Sequence, residues 1–364
     1  MAEIGIGIVG GGYMGKAHAV AMSAVASVFD LGLRPRLEVV AASSQASAER
    51  YRQSFGFRRA AVDWQDLVAD PTVEAIVIAS PQETHREVAE AAFARGLHVL
   101  CEKPLGASVA DSEAMVAAAK VSGCRNMVGF NYIRTPASQY ARALIQSGRI
   151  GDVTYFRGEH TEDFDADPEG PATWRSEGVS NGTMGDLAPH MINAAHRLIG
   201  PISGLIAEVE TVHTMRGGVA VTNDDHAQMM CRFESGVMGH MYFSRVATGR
   251  KMGYAYEVHG TKGAIRFDQE DQNALWLYLA EGPEAERGFR KVLTGPAHPD
   301  YLPFCQGPGH GTGYQDQIII EVKDFLRSIE TGEDLWPTFE EGLNVNKVVY
   351  AALASSASKA WVNV

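Results

Sequence analysis

Cysteine is scarce in this chain, and the four that occur (Cys101, Cys124, Cys231 and Cys305) stand far apart. No two have the two-residue gap of a zinc or redox motif, so reduced thiols are expected and no metal site is. Basic charge is in short supply as well. Lys and Arg number 32 against 44 Asp and Glu, a formal net charge of −12. With no basic stripe visible, nucleic acid is not expected as a partner, and the acidic balance favours a neutral over a strongly anionic substrate. Long apolar runs are missing: none approaches the roughly 18–20 residues of a membrane span. The N-terminus lacks a basic region before its first apolar stretch, and Glu3 sits where a secretion signal carries Lys or Arg. A cytoplasmic protein that does not enter membranes is expected.

What is present is an ordinary globular composition, 45% hydrophobic over 364 residues, enough for two domains with separate cores. Residues 1–130 alternate strand and helix. The strand-like runs are 4–9, Leu37–Ala42, Ala75–Ala79, His98–Cys101 and Asn126–Phe130, with helical patterns at 16–29, 45–55, 64–69, 83–95 and 108–122. Ser108 is expected as an N-cap and Gly96 as a helix stop. Such alternation predicts a parallel sheet with helices on both faces, a Rossmann-type α/β domain. After about residue 130 the pattern changes. Helices are expected at 134–147, 183–199, 314–330 and 339–359, and strands at 152–160, 205–213, 226–233, 237–244, 254–259, 263–267 and 274–279. Residues 131–364 therefore read as an α+β domain with a large, mostly antiparallel open sheet. A second subunit is the simplest cover for the free face of that sheet, so a homo-oligomer is expected.

Gly10-Gly11-Gly12-Tyr13-Met14-Gly15 fits G-x-G-x-x-G between a strand and a helix. Gly10 permits the tight turn, Gly12 lets the backbone approach a pyrophosphate, and Gly15 lets helix and strand pack closely. The helix start beside Tyr13 and Met14 offers free amides to phosphates. The second strand ends in Ala41-Ala42-Ser43-Ser44 rather than in the acid usual for NAD. Ser43 and Ser44 can bond to a ribose or its 2′-phosphate, so these residues leave NAD and NADP even. Glu102-Lys103-Pro104 ends a strand where ligands of such folds collect; the residues alone allow a reactive Lys103 or a surface Lys paired with Glu102. Asp186 and His190, four apart in one helical pattern, share a face with Asn193 and Arg197. They read as a site or as a solvent-facing pair.

With these motifs the sequence resembles the Gfo/Idh/MocA family of oxidoreductases: GGGYMG, then SPQETH (80–85), then EKP (102–104), then a helix start matching G-x-x-x-D-x-x-x-H. The resemblance implies that Lys103, Asp186 and His190 are catalytic. It also implies that Ser80, Pro81, His85 and Glu102 lie at the cofactor. Ser80-Pro81-Gln82 departs from the family's usual Thr-Pro-Asn. The chemistry suits the trio: His190 exchanges a proton near neutrality, Lys103 stabilises charge on the reacting oxygen, and Asp186 orients the substrate or His190.

The likeness runs over nearly the whole chain and is greatest to the subgroup of inositol (scyllo-inositol and L-glucose) and levoglucosan dehydrogenases. It rests on GKAH (15–18), FNYIRTPA (130–137), EDFDADP (162–168), Trp174-Arg175, NDDH (223–226), HGTKGAIRFD (259–268), GFRKVLTGPAHP (288–299) and GPGHGTGY (307–314). Residues 176–181 look shorter and poorer in glycine than the subgroup's linker. The resemblance implies that Trp174 and Arg175 reach the cofactor and that Arg175 and His310 approach the substrate, with Tyr132, Asp163 and Asp165 as further polar candidates. It implies NAD before NADP, a dimer or tetramer, and oxidation of a secondary hydroxyl of an inositol, with levoglucosan or another pyranose as the alternative. Two readings of other classes are a dinucleotide-binding regulator without turnover and a metal-dependent alcohol dehydrogenase using Asp186, His190 and His310.

Overall fold

The computed structural model describes residues 2–364, the side chains of Trp174 and Val179 excepted. The chain divides into two units, Met1–Arg134 with Gly313–Asn346, and Thr135–Thr312 with Lys347–Val364.

Six strands build the first unit: β1 (Ala2–Val9), β2 (Leu33–Ala41), β3 (Arg59–Ala61), β4 (Ala75–Ile78), β5 (His98–Glu102) and β6 (Asn126–Gly129). All pair in parallel, in the order β3-β2-β1-β4-β5-β6. The central strands are apolar on both faces because helices cover both: Ile6, Ile8 and all of Ala75–Ile78 are fully buried. Strand order reverses between β1 and β4, and the carboxyl ends of strands flanking such a reversal open a ligand crevice. Helix ends follow the expected chemistry. Ser108 accepts the Asp111 amide at 3.1 Å, and Gly96 has φ +81 after the helix His85–Ala94. The helix Tyr314–Thr331 returns to this unit. Its Gln315 side chain donates to the Ala17 carbonyl at 2.9 Å, and Gln317 accepts from Asn131 at 3.1 Å.

The second unit carries β7 (Val153–Thr161), β8 (Ile202–Glu210), β9 (Met215–Arg216), β10 (Val219–Ala220), β11 (His226–Phe233), β12 (Met238–Ser244), β13 (Gly253–Gly260), β14 (Gly263–Asp268), β15 (Ala274–Leu279), β16 (Arg290–Leu293) and β17 (Val362–Asn363). Nine of them form one sheet in the order β16-β15-β14-β13-β7-β12-β11-β8-β17. The sheet is antiparallel except where β12 pairs with β7 in parallel. Alternation is clear in β11: Ala227, Met229, Cys231 and Phe233 are buried, whereas Gln228, Met230 and Arg232 are exposed. The helices Pro136–Gln146 and Ala188–Leu198 pack on the inner face. The strands β3, β9, β10, β16 and β17, of two to four residues each, are too short to carry a period and were not visible in the sequence.

One helix differs from expectation. The segment 183–199 is two helices, Thr183–Asp186 and Ala188–Leu198, broken at Leu187. Pro189 has no amide to give the Gly185 carbonyl, and its ring crowds the preceding turn. Asp186 therefore ends the first piece and His190 lies in the opening turn of the second.

Candidate active site

The first unit places the glycine loop at the carboxyl end of β1. Gly10 has φ +98, and a Cβ there would meet the Ala79 carbonyl oxygen at 2.4 Å, so only glycine fits the turn. Gly12 is the N-cap of the helix Tyr13–Val28, and a Cβ on it would meet nothing within 4 Å. Ser43 and Ser44 are exposed at the end of β2, and Ser44 Oγ caps the next helix through the Ser47 amide at 3.3 Å. Tyr13 is exposed and stacks on Tyr314 at 5.9 Å, with Tyr132 on the same ring at 6.0 Å. The Tyr314 hydroxyl donates to Met14 Sδ at 3.4 Å. Burial, aided by neighbouring Tyr132 and Glu102, pushes the Tyr314 phenol well up, so it stays a neutral donor.

The segment around Lys103 is tied from behind. His85 is 1% exposed. Its Nδ1 lies 3.1 Å and 3.2 Å from the Pro104 and Leu105 carbonyls, and its Nε2 lies 3.0 Å from the Ser80 carbonyl. Burial lowers its pKa despite these carbonyls. The ring thus laces the segment after Ser80-Pro81 to the one after Lys103. Ser80 Oγ pairs with Thr84 at 2.7 Å, and the Lys103–Pro104 peptide is cis. Glu102 bonds to the fully buried His18 at 2.7 Å. Burial opposes charge on His18, but the Glu102 carboxylate outweighs it and raises the pKa. Lys103 itself is half-buried. Close by in the same charge field, burial lifts Glu321 to about 7, against the pull of His18 and Arg134.

The second unit groups Arg175, Asp186 and His190. Arg175 Nε donates to Asp186 Oδ2 at 3.0 Å, and its guanidinium lies 5.3 Å from the Phe164 ring centre. His190 is buried and meets the His160 ring edge-on at 5.6 Å. His160 in turn bonds to the Leu187 carbonyl at 2.9 Å and to Glu162 at 3.2 Å. Asp163 is drawn to Lys251 at 2.7 Å and the Gly249 amide at 3.1 Å, and Lys251 holds its carboxyl below the usual range. His310 is exposed in the glycine-rich loop, where its Nδ1 lies 3.2 Å from Cys305 Sγ. That loop is stapled by the buried Tyr301 hydroxyl, which donates to the Gly307 carbonyl at 2.8 Å and accepts the Gly311 amide at 2.9 Å. The Trp174 side chain falls outside the described residues.

Sequence reasoning missed Tyr314, His18, His160 and Cys305. Tyr314 closes the quoted run 307–314, and His18 closes GKAH, so both stood in motifs whose partners lay far along the chain. His160 and Cys305 had no local signal.

Residues 4–130 match the family model described as oxidoreductase family, NAD-binding Rossmann fold, and residues 138–266 match the GFO/IDH/MocA C-terminal domain. The levoglucosan dehydrogenase of Pseudarthrobacter phenanthrenivorans is 36% identical, with 100% of this chain and 99% of that protein covered. The chain belongs to the Gfo/Idh/MocA oxidoreductases. Among the family, the inositol 2-dehydrogenase of Rhizobium meliloti is 27% identical over 98% of each chain. A solved levoglucosan dehydrogenase in complex with NADH and levoglucosan superposes with a TM-score of 0.97 at 36% identity, covering 100% of this chain and 99% of that one.

As a family member the protein is a dehydrogenase with an NAD-binding first unit. Its residues fit that cofactor. The open space over Gly12 and the free amides at the helix start form a cradle that any Cβ would narrow. Gly15 plays another part, since a Cβ there would lie 2.1 Å from the Gly10 carbonyl oxygen. Gly12→Ala should therefore keep the wild-type melting temperature and weaken NADH binding about tenfold or more, whereas Gly15→Ala should lower stability by about 1–3 kcal/mol. Fluorescence titration with NADH beside thermal melts separates the two.

Glu321 yields a pH test. Its folded pKa is raised, so the stability it contributes is complete below about pH 4.5 and is lost as pH rises through about 7. Glu321→Gln should match wild type near pH 5 and gain stability at pH 8, by up to about 3 kcal/mol. Denaturant melts at the two pH values check it, and an equal effect at both refutes the assignment.

Proposed function

We propose that the protein oxidises a secondary hydroxyl of a pyranose sugar such as levoglucosan with NAD, an inositol being the second reading. The observation that carries it is the full-length likeness to levoglucosan dehydrogenase, TM-score 0.97 to a complex holding NADH and levoglucosan, together with the Arg175–Asp186 pair beside His190. The inositol reading is supported by a relative of lower identity, 27%.

Lys103, Asp186 and His190 carry the reaction in this reading. NAD, held at the glycine loop Gly10–Gly15, would supply the acceptor for the hydride released by the substrate carbon. His190 Nδ1 is buried, so the hydroxyl proton passes to Nε2. Lys103 Nζ holds the reacting oxygen and stabilises the charge that develops on it. Asp186, already accepting from Arg175, orients a neighbouring sugar hydroxyl, and Arg175 and His310 donate to others. Tyr132 is a further polar candidate for the substrate, and Asp163, committed to Lys251, holds its own loop. A regulator without turnover would have no need of all three reacting groups. A metal-dependent mechanism has no support in the ligand geometry, since no group of three or more His, Cys, Asp or Glu side chains arranged to hold a metal occurs among the described residues.

We also propose a homo-oligomer formed through the outer face of the nine-stranded sheet, which exposes Met230 and Met238 on adjacent strands. No helix among the described residues is long and apolar enough to cross a membrane, and a cytoplasmic location is the simplest proposal.

Initial rates at the nicotinamide absorbance band, with levoglucosan, scyllo-inositol, myo-inositol, L-glucose and D-glucose and with NAD or NADP, test the reading. Turnover with NAD on levoglucosan, lowered about a thousandfold or more in Lys103→Ala, is the expected outcome. Wild-type rates in Lys103→Ala would sink the mechanism. Sedimentation velocity should give a mass two or four times the 39.3 kDa of one chain; a monomer at micromolar concentration removes the oligomer.

A further inference from the structure

A cluster of buried polar side chains sits where β11 begins and β12 ends. The register His226↔Ser244 sets these two points side by side, so Asn223, Asp224 and Asp225 adjoin Arg245. Arg245 is 1% exposed, Asp225 0%, and Asn223 and Asp224 6% each. Burying such groups is costly unless every one is paired. Arg245 Nε bonds to Asp225 Oδ1 at 2.7 Å, and Arg245 Nη2 donates to Asn223 Oδ1 at 2.8 Å. Asp225 Oδ2 accepts the Val212 and His213 amides, both at 2.8 Å.

Arg245 Nε also lies 3.4 Å from Asp165 Oδ2, and Thr211 Oγ1 donates to the Asn223 carbonyl at 2.7 Å; four further bonds run to the segment 175–181. The Arg175 carbonyl accepts from Arg245 Nη1 at 2.8 Å and from Asn223 Nδ2 at 2.8 Å. The same two donors reach the Asn181 carbonyl at 3.2 Å and the Gly178 carbonyl at 3.0 Å. At the far end of this connection, Asp224 Oδ2 accepts the Met184 amide at 2.8 Å, and Thr183 Oγ1 donates to the Asp225 carbonyl at 2.9 Å. Those bonds set the start of the short helix that ends in Asp186. A Cβ at Gly182 would lie 2.2 Å from Asp224 Oδ1, so the approach is close. The connection between, Ser-Glu-Gly-Val-Ser-Asn at 176–181, has almost no apolar content with which to hold itself. Both of its ends are fixed instead by one buried cluster, and Arg175 and Asp186 then meet at 3.0 Å.

We propose that Asn223 and Arg245 are positioning residues that set the Arg175–Asp186 pair for the sugar, by holding the Arg175 peptide from beneath. The proposal rests on the function assigned to Asp186 above. Neither residue acts on substrate directly. They act through the backbone of Arg175, and an error of about 1 Å in a substrate-holding group costs about a hundredfold in rate.

Asn223 allows a test that separates positioning from folding. Asn223→Asp keeps the shape and the acceptor for Arg245 but turns an oxygen instead of an amide towards two carbonyls. Asn223→Ala removes both functions. Purified full-length variants would be compared with wild type for kcat and KM on levoglucosan, KM for NAD, melting temperature, and hydrogen exchange of residues 175–182. The expected result for both is kcat/KM on levoglucosan lowered about tenfold or more, a KM for NAD within about twofold of wild type, and faster exchange confined to 175–182. Should Asn223→Ala fail to fold, Asn223→Asp carries the test. Unchanged exchange over 175–182 overturns the proposal, and so does faster exchange with unchanged kcat and KM, which leaves the cluster only structural. Wild-type turnover in Asp186→Asn identifies a different failure, that of the assigned function, and takes the substrate claim with it while exchange still judges the clamp.

Discussion

The ion pair between Arg245 and Asp225 is the constraint on which the second unit's chemistry depends. Both groups are almost wholly removed from water, so neither tolerates loss of the other. The pair forms because two adjacent antiparallel strands bring the residue before β11 against the residue after β12. Once there, a planar guanidinium has more donors than one carboxylate can use. The surplus goes to carbonyls of a polar connection that lacks a core of its own. A sheet register is thereby converted into the position of a surface loop, and the loop carries the Arg175–Asp186 pair to which the proposed function gives the sugar.

The first unit solves a like problem with histidines. A lysine at the mouth of a buried strand needs a backbone that does not drift. His85 meets that need by reaching carbonyls on two segments far apart in sequence, and His18 does so by bonding to the carboxylate next to Lys103. The parallel sheet beneath brings the strand ends together, and these side chains fix what the strand ends alone leave loose. In both units the residues proposed to react are few, and the residues that hold them are buried and polar and bond to backbone carbonyls or to a carboxylate.

This division explains what could be read in the sequence. Glycine-rich turns, apolar runs and the spacing of Asp186 and His190 are local patterns; the fold class followed from the first two, and the proposed reacting residues rest on the third together with the family resemblance. Ser108 begins a helix and Gly96 follows the end of one, as their types require. The helix at 183–199 was over-extended because the polar and apolar stripes kept their period through Pro189, whose missing amide outweighed them. His18, His160, Tyr314 and Cys305 were not legible, because each acquires its role from a partner that only the folded chain supplies. Asp163 stood in the sequence as a further polar candidate, and only the return of the chain at Lys251 revealed its partner.

Two buried acids mark the cost of this arrangement. Burial lifts Asp224 to about 6 and Glu321 to about 7, so near neutrality both weaken the fold that contains them. An apolar residue of similar size would avoid that penalty. Asp224 is nevertheless placed where its oxygen fixes the Met184 amide and with it the helix bearing Asp186. Glu321 shares a charge field with His18, whose bond holds Glu102 beside Lys103. A sequence selected for stability alone would have removed both, and local rules broken without a packing gain point to functional sites. Each acid adjoins residues that the proposed function uses, Asp224 through the Met184 amide and Glu321 through its coupling to His18 and Glu102.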